Sequence, residues 1–321
     1  MANRRNFLKY ATAFALGSII IPACNNDQDK GETEGTSKSE SDSANATNTP
    51  AGTGNIGAIG LQLYSVKDVI EKDLKGTLQQ LAAIGYKEVE SYPGQKGHYY
   101  GMAPKEFTAM LNDLGLKLVS SHFGSGTRAG TAGTWQKATM LQNFDELVSK
   151  AAETGQQYLT CSSLNESLRK APDDLKQTAE LFNKTGETCK KAGLQFAYHN
   201  HDFEFKKIGD TMIYDYMLEN TDPELVKYEL DMYWVVSGEQ DPIAYLNKYP
   251  NRFPLGHVKD MSKQDKKKNA EIGTGSINYA EILKVAKNAG MKHFLVEQET
   301  FTRPSIESMK MNYEYLSKVS V

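Results

Sequence analysis

The chain has 321 residues, a formal net charge of −3 and three cysteines. With 37 Lys and Arg set against 40 Asp and Glu, and no basic stripe, the balance argues against a nucleic-acid partner. Three cysteines do not make a disulfide framework, so Cys161 and Cys189 are expected as free thiols.

The chain begins MANRRNFLKYATAFALGSIIIPAC. Arg4, Arg5 and Lys9 precede an apolar run (10–21) too short to span a bilayer as a stable helix. Residues 1–24 therefore read as a secretory signal, with RRNFLK fitting twin-arginine export and IPAC a lipobox whose Cys24 becomes lipidated. The alternative is cleavage elsewhere, with Cys24 incidental. This pattern predicts a periplasmic or outer-membrane-anchored lipoprotein whose only membrane contact is its lipid. Residues 25–55 contain no large apolar side chain and cannot bury enough surface to offset chain entropy, so a disordered tether is expected. The folded domain is expected over 56–321.

From there one unit recurs: an apolar β-rich run, a loop, then an amphipathic helix. IGAIGLQLY (56–64) is followed by LKGTLQQLAAIG, with Leu74, Leu78, Leu81 and Ile84 at helical spacing. YKEVESY (86–92) precedes APKEFTAMLNDLG, and LKLVSSHF (116–123) precedes WQKATMLQNFDELVSKAAETG. QQYLTCSS (156–163) precedes a helix for which Pro172 suits the first turn and Gly193 the stop. LQFAYHNH (194–201), VKYELDMYW (226–234), FPLGHVKD (253–260) and MKHFLVEQE (291–299) each lead into a further helical segment. Eight strand–helix units without hairpin turns predict a parallel sheet closed as a (β/α)8 TIM barrel, in the α/β class. A doubly wound open sheet is the competitor, weakened because no G-x-G-x-x-G follows the first strand.

In such a barrel, chemistry collects at the C-terminal strand ends. There the chain places His122, His199 with His201, Asp231, His257 with Lys259, and Glu297 with Glu299. A lone histidine beside an apolar run is usually structural. Here, though, four of the six histidines fall at strand ends, and ionised carboxylates buried in a barrel mouth are costly when unpaired. One divalent cation would compensate Asp231 and Glu297 while accepting nitrogen from His199 and His257. That mixed donor set suits Mn2+, Zn2+, Co2+, Ni2+ or Mg2+. The alternative is a hydrogen-bonded polar cluster without metal. KQDKKK (263–268) reads as a solvated loop.

The runs IGLQLYSV, YHNHDFEF, YELDMYWV, GHVKD and FLVEQE resemble the xylose isomerase-like TIM-barrel superfamily, which includes sugar epimerases, inosose dehydratases and AP-endonuclease relatives. The resemblance implies one metal ion on the fifth to eighth strands, usually held by Glu, Asp, His and Glu. Asp231, His257 and Glu297 match the last three positions. His199 stands where sugar epimerases carry glutamate, and Trp234 where many relatives have histidine three residues after the aspartate. Ketose epimerases use two metal-side glutamates on opposite substrate faces, so with only Glu297 in that arrangement two-sided epimerisation is less secure.

By resemblance the expected activity is metal-dependent sugar isomerisation or epimerisation, with proton removal beside a carbonyl and a metal-stabilised enediolate. The runner-up is a lyase or dehydratase of the same site, acting for instance on a 3-keto-glycoside. A sugar-binding lipoprotein without catalysis is the alternative of another class, and export disfavours an AP-endonuclease. The base is expected among His201, Glu204 and the free oxygen of Glu297, with His122 as proton donor or substrate contact. Lys259 would steady negative charge or, alternatively, pair with Asp260. Among the aromatic residues near the mouth, Tyr64, Phe123, Tyr233 and Trp234, only Trp234 is weighed as a sugar-stacking surface. GTGSINY (273–279) is a lesser candidate for phosphate binding at a helix start.

Overall fold

The apolar runs form eight parallel strands: β1 (Ile59–Gln62), β2 (Glu88–Ser91), β3 (Lys117–Gly124), β4 (Tyr158–Ser163), β5 (Gln195–His199), β6 (Val226–Asp231), β7 (Leu255–Val258) and β8 (His293–Val296). Each pairs with its sequence neighbours, and β8 pairs with β1 to close a barrel. The chain is described over residues 56–128 and 138–320 of a computed structural model. The expected signal and tether lie outside the described residues, as does Trp135. Among the described residues, no helix is long and apolar enough to cross a membrane.

The helices of six or more residues are α1 (Leu74–Ile84), α2 (Pro104–Asp113), α3 (Phe144–Thr154), α4 (Pro172–Lys191), α5 (Ile213–Glu219), α6 (Met232–Ser237), α7 (Pro242–Lys248), α8 (Tyr279–Asn288) and, after the last strand, α9 (Ser305–Leu316). Sequence signals explain several of their ends. The Asp73 carboxylate accepts the Gly76 N–H at the start of α1. Pro172 opens α4, and Gly193, at φ +78°, follows its C-terminus.

Two boundaries differ from the sequence reading. The sixth strand stops at Asp231 rather than running to Trp234, because the aspartate accepts the Trp234 N–H and turns the chain into α6. The helix expected after β3 begins only at Phe144: Thr139 and Gln142 form an isolated bridge, and Asn143 adopts φ +53°.

Outward-facing Phe196, Tyr198 and Tyr228 pack under the helices in the main core, Tyr198 against Phe182 of α4. Burying such a side chain contributes roughly 1.5–3 kcal/mol. Inside the barrel, Val119, Tyr158, Ala197, Leu255 and Leu295 form a separate apolar plug. Gly60 makes room for it, since a Cβ there would lie 2.5 Å from Leu295 Cδ2. Cys161 and Cys189 are buried free thiols, as expected, and burial pushes both up to about 12.

Candidate metal centre at the barrel mouth

One pleat above the plug, the same strands change character. Two residues separate side chains on one face of a strand, so Ala197 is followed by His199, Leu255 by His257 and then Lys259, and Leu295 by Glu297. β6 contributes Glu229 and then Asp231, β2 contributes Glu90, and β3 contributes His122. All of these side chains are buried.

The four expected metal ligands do converge. His199 Nε2 and His257 Nδ1 lie 3.8 and 3.9 Å from Asp231 Oδ2, and His257 Nδ1 lies 3.1 Å from Glu297 Oε2. One donor atom from each of the four lies within 4.8 Å of the others. Asp231 is fixed from two directions. Its Oδ1 accepts the Trp234 N–H at 3.0 Å. Its backbone is clamped by Asn200, which accepts the Asp231 N–H at 3.0 Å and donates to its carbonyl at 3.2 Å. Oδ2 is buried, with the Lys259 ammonium 3.0 Å away. The two-nitrogen, two-oxygen donor set fits a divalent cation, and the Lys259 ammonium between Asp231 and Glu297 marks a place that favours positive charge.

The far nitrogens of both imidazoles meet carboxylates that the sequence reading missed. His199 Nδ1 is 3.1 Å from Glu229 Oε2, and His257 Nε2 is 2.9 Å from Glu90 and 3.3 Å from Glu229. His122 Nε2 reaches the same pair, at 2.7 Å from Glu229 and 3.0 Å from Glu90. Gln62 Nε2 donates to Glu90 at 2.7 Å. A carboxylate behind an imidazole fixes which nitrogen carries the proton and which presents its lone pair. Glu229 and Glu297 hold the His257 imidazole charged against burial, so its Nδ1 would present a lone pair to a cation at the mouth on giving up the proton it shares with Glu297.

Burial alone would lower His122, but Glu90 and Glu229 override it and raise its pKa to about 10. Burial likewise opposes charge on Glu229, yet His257 and His122 hold it well below the usual carboxylate range. Glu297 is held down against burial by Lys259 and His257. Lys259, fully buried, is kept charged by Asp231, Glu297 and Glu299, at 3.0, 2.5 and 2.7 Å. The alternative pairing with Asp260 is therefore not made. That carboxylate accepts the N–H groups of Met261, Gly273, Gly275 and Ile277 instead. The loop weighed for phosphate binding thus already spends its donors on Asp260.

A cavity of about 260 Å³ opens above the cluster, lined by Tyr64, Tyr92, Pro93, His122, Ser162, Ser163, His199, His201, Glu297 and Glu299. His201 is there as expected, with a buried Nδ1 that lacks a partner. Burial, then the neighbouring His199 and Lys259, lower its pKa well below the ordinary histidine value, so it is neutral.

Two expectations need correction. Glu204 does not reach the cavity: the turn Phe203–Phe205 folds it back to accept the Tyr198 hydroxyl and the His201 N–H, and burial raises its pKa to about 7. Trp234 does not line the cavity either. Its ring packs against His201 at 5.4 Å, with Phe203 stacked on the same imidazole, also at 5.4 Å. Phe123, given no weight as a sugar contact, packs against Phe144 and Phe196 in the core.

A family model described as "Xylose isomerase-like TIM barrel" matches residues 78–319. A solved sugar phosphate isomerase/epimerase from Parabacteroides distasonis is 32% identical, with a TM-score of 0.69 over 85% of this chain and 96% of that one. Among curated proteins, an inosose dehydratase of Geobacillus kaustophilus is 22% identical over 57% of this chain. The match spans 61% of that relative's length. At the level of fold alone, the zinc-containing IOLI protein superposes with a TM-score of 0.65 at 10% identity, over 80% of this chain and 95% of that one.

Proposed function

Because the chain belongs to the xylose isomerase-like TIM-barrel family, a superfamily of enzymes, we propose that it is a metal-dependent lyase that removes a proton beside the carbonyl of an oxidised carbohydrate and expels a β-substituent. The observation that carries this reading is the asymmetry of the cavity. On the β8 side stand the carboxylates Glu297 and Glu299. Across the barrel, on the β3 and β5 side, stand the imidazoles His122 and His201. Two-sided epimerisation needs a base on each face of the substrate. Elimination needs one base and one acid, which differ in kind.

The expected ligands are His199, Asp231, His257 and Glu297. A divalent ion held there would supply the positive charge that makes a C–H bond beside a carbonyl acidic. His201, neutral and with Nδ1 unpartnered, would take the proton. His122, charged through its carboxylate pair, would return one to the departing oxygen. Lys259 balances the carboxylates at the mouth, and Tyr64 with Tyr92 forms an edge-to-face aromatic wall for an apolar sugar face, ring centres 5.2 Å apart. The relatives named inosose dehydratase support elimination; the solved relative named isomerase/epimerase keeps epimerisation as the second reading. Together with the RRNFLK and IPAC signals, the reading extends to an exported, lipid-anchored enzyme of the cell envelope.

The test offers a 3-keto-glycoside and a free ketose side by side, with and without added Mn2+, Zn2+ or Co2+. Metal-dependent release of the aglycone is expected. Epimerisation of the ketose without release would replace elimination by the second reading, and wild-type protein that binds no divalent ion would overturn both.

A further inference from the structure

We propose a second divalent-cation position one layer below the first, formed by His122 Nε2, His199 Nδ1, His257 Nε2 and Glu229 Oε2. One donor atom from each of these four residues lies within 4.8 Å of the others, and all four side chains are buried. Glu229 Oε2 stands 2.7, 3.1 and 3.3 Å from the three imidazole nitrogens. Donors bound at roughly 2.0–2.1 Å to one tetrahedral ion are spaced about 3.3 Å apart, so only small shifts separate this packing from a coordination sphere. Glu90 Oε2, at 2.9 and 3.0 Å from His257 and His122, is available as a fifth donor.

An independent sign is that Glu90 Oε1 and Glu229 Oε1 are both buried without a hydrogen-bond partner. Each carboxylate therefore meets the imidazoles through Oε2 and keeps a second buried oxygen without a partner. The two positions also differ in chemistry. Three imidazoles favour zinc, nickel or copper, whereas the mouth, with two imidazoles and two carboxylates beside an open cavity, also suits manganese or magnesium. A site closed by protein donors has no free position for a substrate oxygen.

The positions are mutually exclusive. His199 and His257 would serve them with opposite ring nitrogens, and a neutral imidazole offers only one lone pair. An ion below withdraws both nitrogen ligands from the mouth, leaving the site loaded but silent. This goes beyond the functional reading and shares with it only the mouth position.

The test is a protein carrying Asp231→Asn and Glu297→Gln, loaded with Zn2+ alone, desalted and subjected to elemental analysis. About one equivalent of zinc is expected to remain, and to be lost when His122→Ala is added. A folded double variant free of zinc overturns the lower position. Should the double variant not fold, X-ray absorption on wild-type protein with one equivalent of zinc decides. Three imidazole ligands are expected, and two overturn the proposal. Failure of the functional reading is distinct, because only wild-type protein that binds no ion at all removes both positions.

Discussion

The lower and upper halves of the barrel interior use the same strands for opposite ends. Below, Val119, Tyr158, Ala197, Leu255 and Leu295 fill the barrel with apolar volume. Above, the interior is almost wholly ionisable: Glu90, His122, His199, Glu229, Asp231, His257, Lys259 and Glu297, every one buried. The change takes a single pleat in β5, β7 and β8. A plug of this kind stabilises by excluding water and filling volume. The upper layer holds charges that survive burial only because each faces an opposite charge or an imidazole. The plug is thus the rigid floor on which the charged layer is held in register.

Substitutions that strike one layer and spare the other test this division. His257→Ala should have the largest effect, because His257 touches Glu90, Glu229 and Glu297 and would serve either ion position. Metal binding should fall below detection and turnover by roughly three orders of magnitude, the scale of several kcal/mol of charge stabilisation. Elemental analysis alongside a lyase assay checks both. Leu295→Ala strikes the plug instead. It should cost about 2–5 kcal/mol in urea unfolding while the folded protein keeps its metal stoichiometry. Loss of metal from that variant would show that the layers are not separable.

Glu229→Gln is the subtler upper-layer change. A carboxamide can turn an N–H toward His122, His199 and His257 and disturb the tautomers they need. Metal affinity should fall about 10–100-fold, read by chelator competition. An unchanged affinity would mean that Glu229 does not orient the ligands.

The barrel was legible because parallel strands buried on both faces read as apolar runs, and four histidines interrupting such runs were conspicuous. Glu90 and Glu229 were not. YKEVESY and VKYELD alternate charged and apolar residues, which is the pattern of a strand with one solvated face. Closure of the barrel turns that charged face inward. A parallel, doubly covered sheet has no solvated face, so charges alternating within it have only the barrel interior to enter. That inference was available once the topology was settled. Glu204 was misplaced for the opposite reason. Proximity to His201 in sequence suggests proximity to the cavity, but the turn after His201 folds the glutamate back to the outer face of β5. Trp234 followed from the missed strand end: with the chain turned into α6 at Asp231, its ring lies behind His201 rather than in front of it.

Glu204 supplies the smallest of the expected effects, one confined to the outer face of β5. Burial raises its pKa to about 7 from the usual 4.5, while the hydroxyl of Tyr198 and the N–H of His201 favour its charged form only in part. A carboxyl group with a raised folded-state value binds its proton more tightly when folded. Its contribution to stability is therefore complete below about pH 4.5 and lost as the pH rises through about 7. Glu204→Gln keeps an acceptor at that place but cannot ionise. Relative to the variant, wild-type protein should lose several degrees of Tm between pH 5 and pH 8, by thermal melts followed across that range. Parallel melting curves for the two proteins would show that Tyr198 and His201 stabilise the carboxylate fully. Because Glu204 lies outside the cavity, metal stoichiometry should be the same in both proteins at every pH.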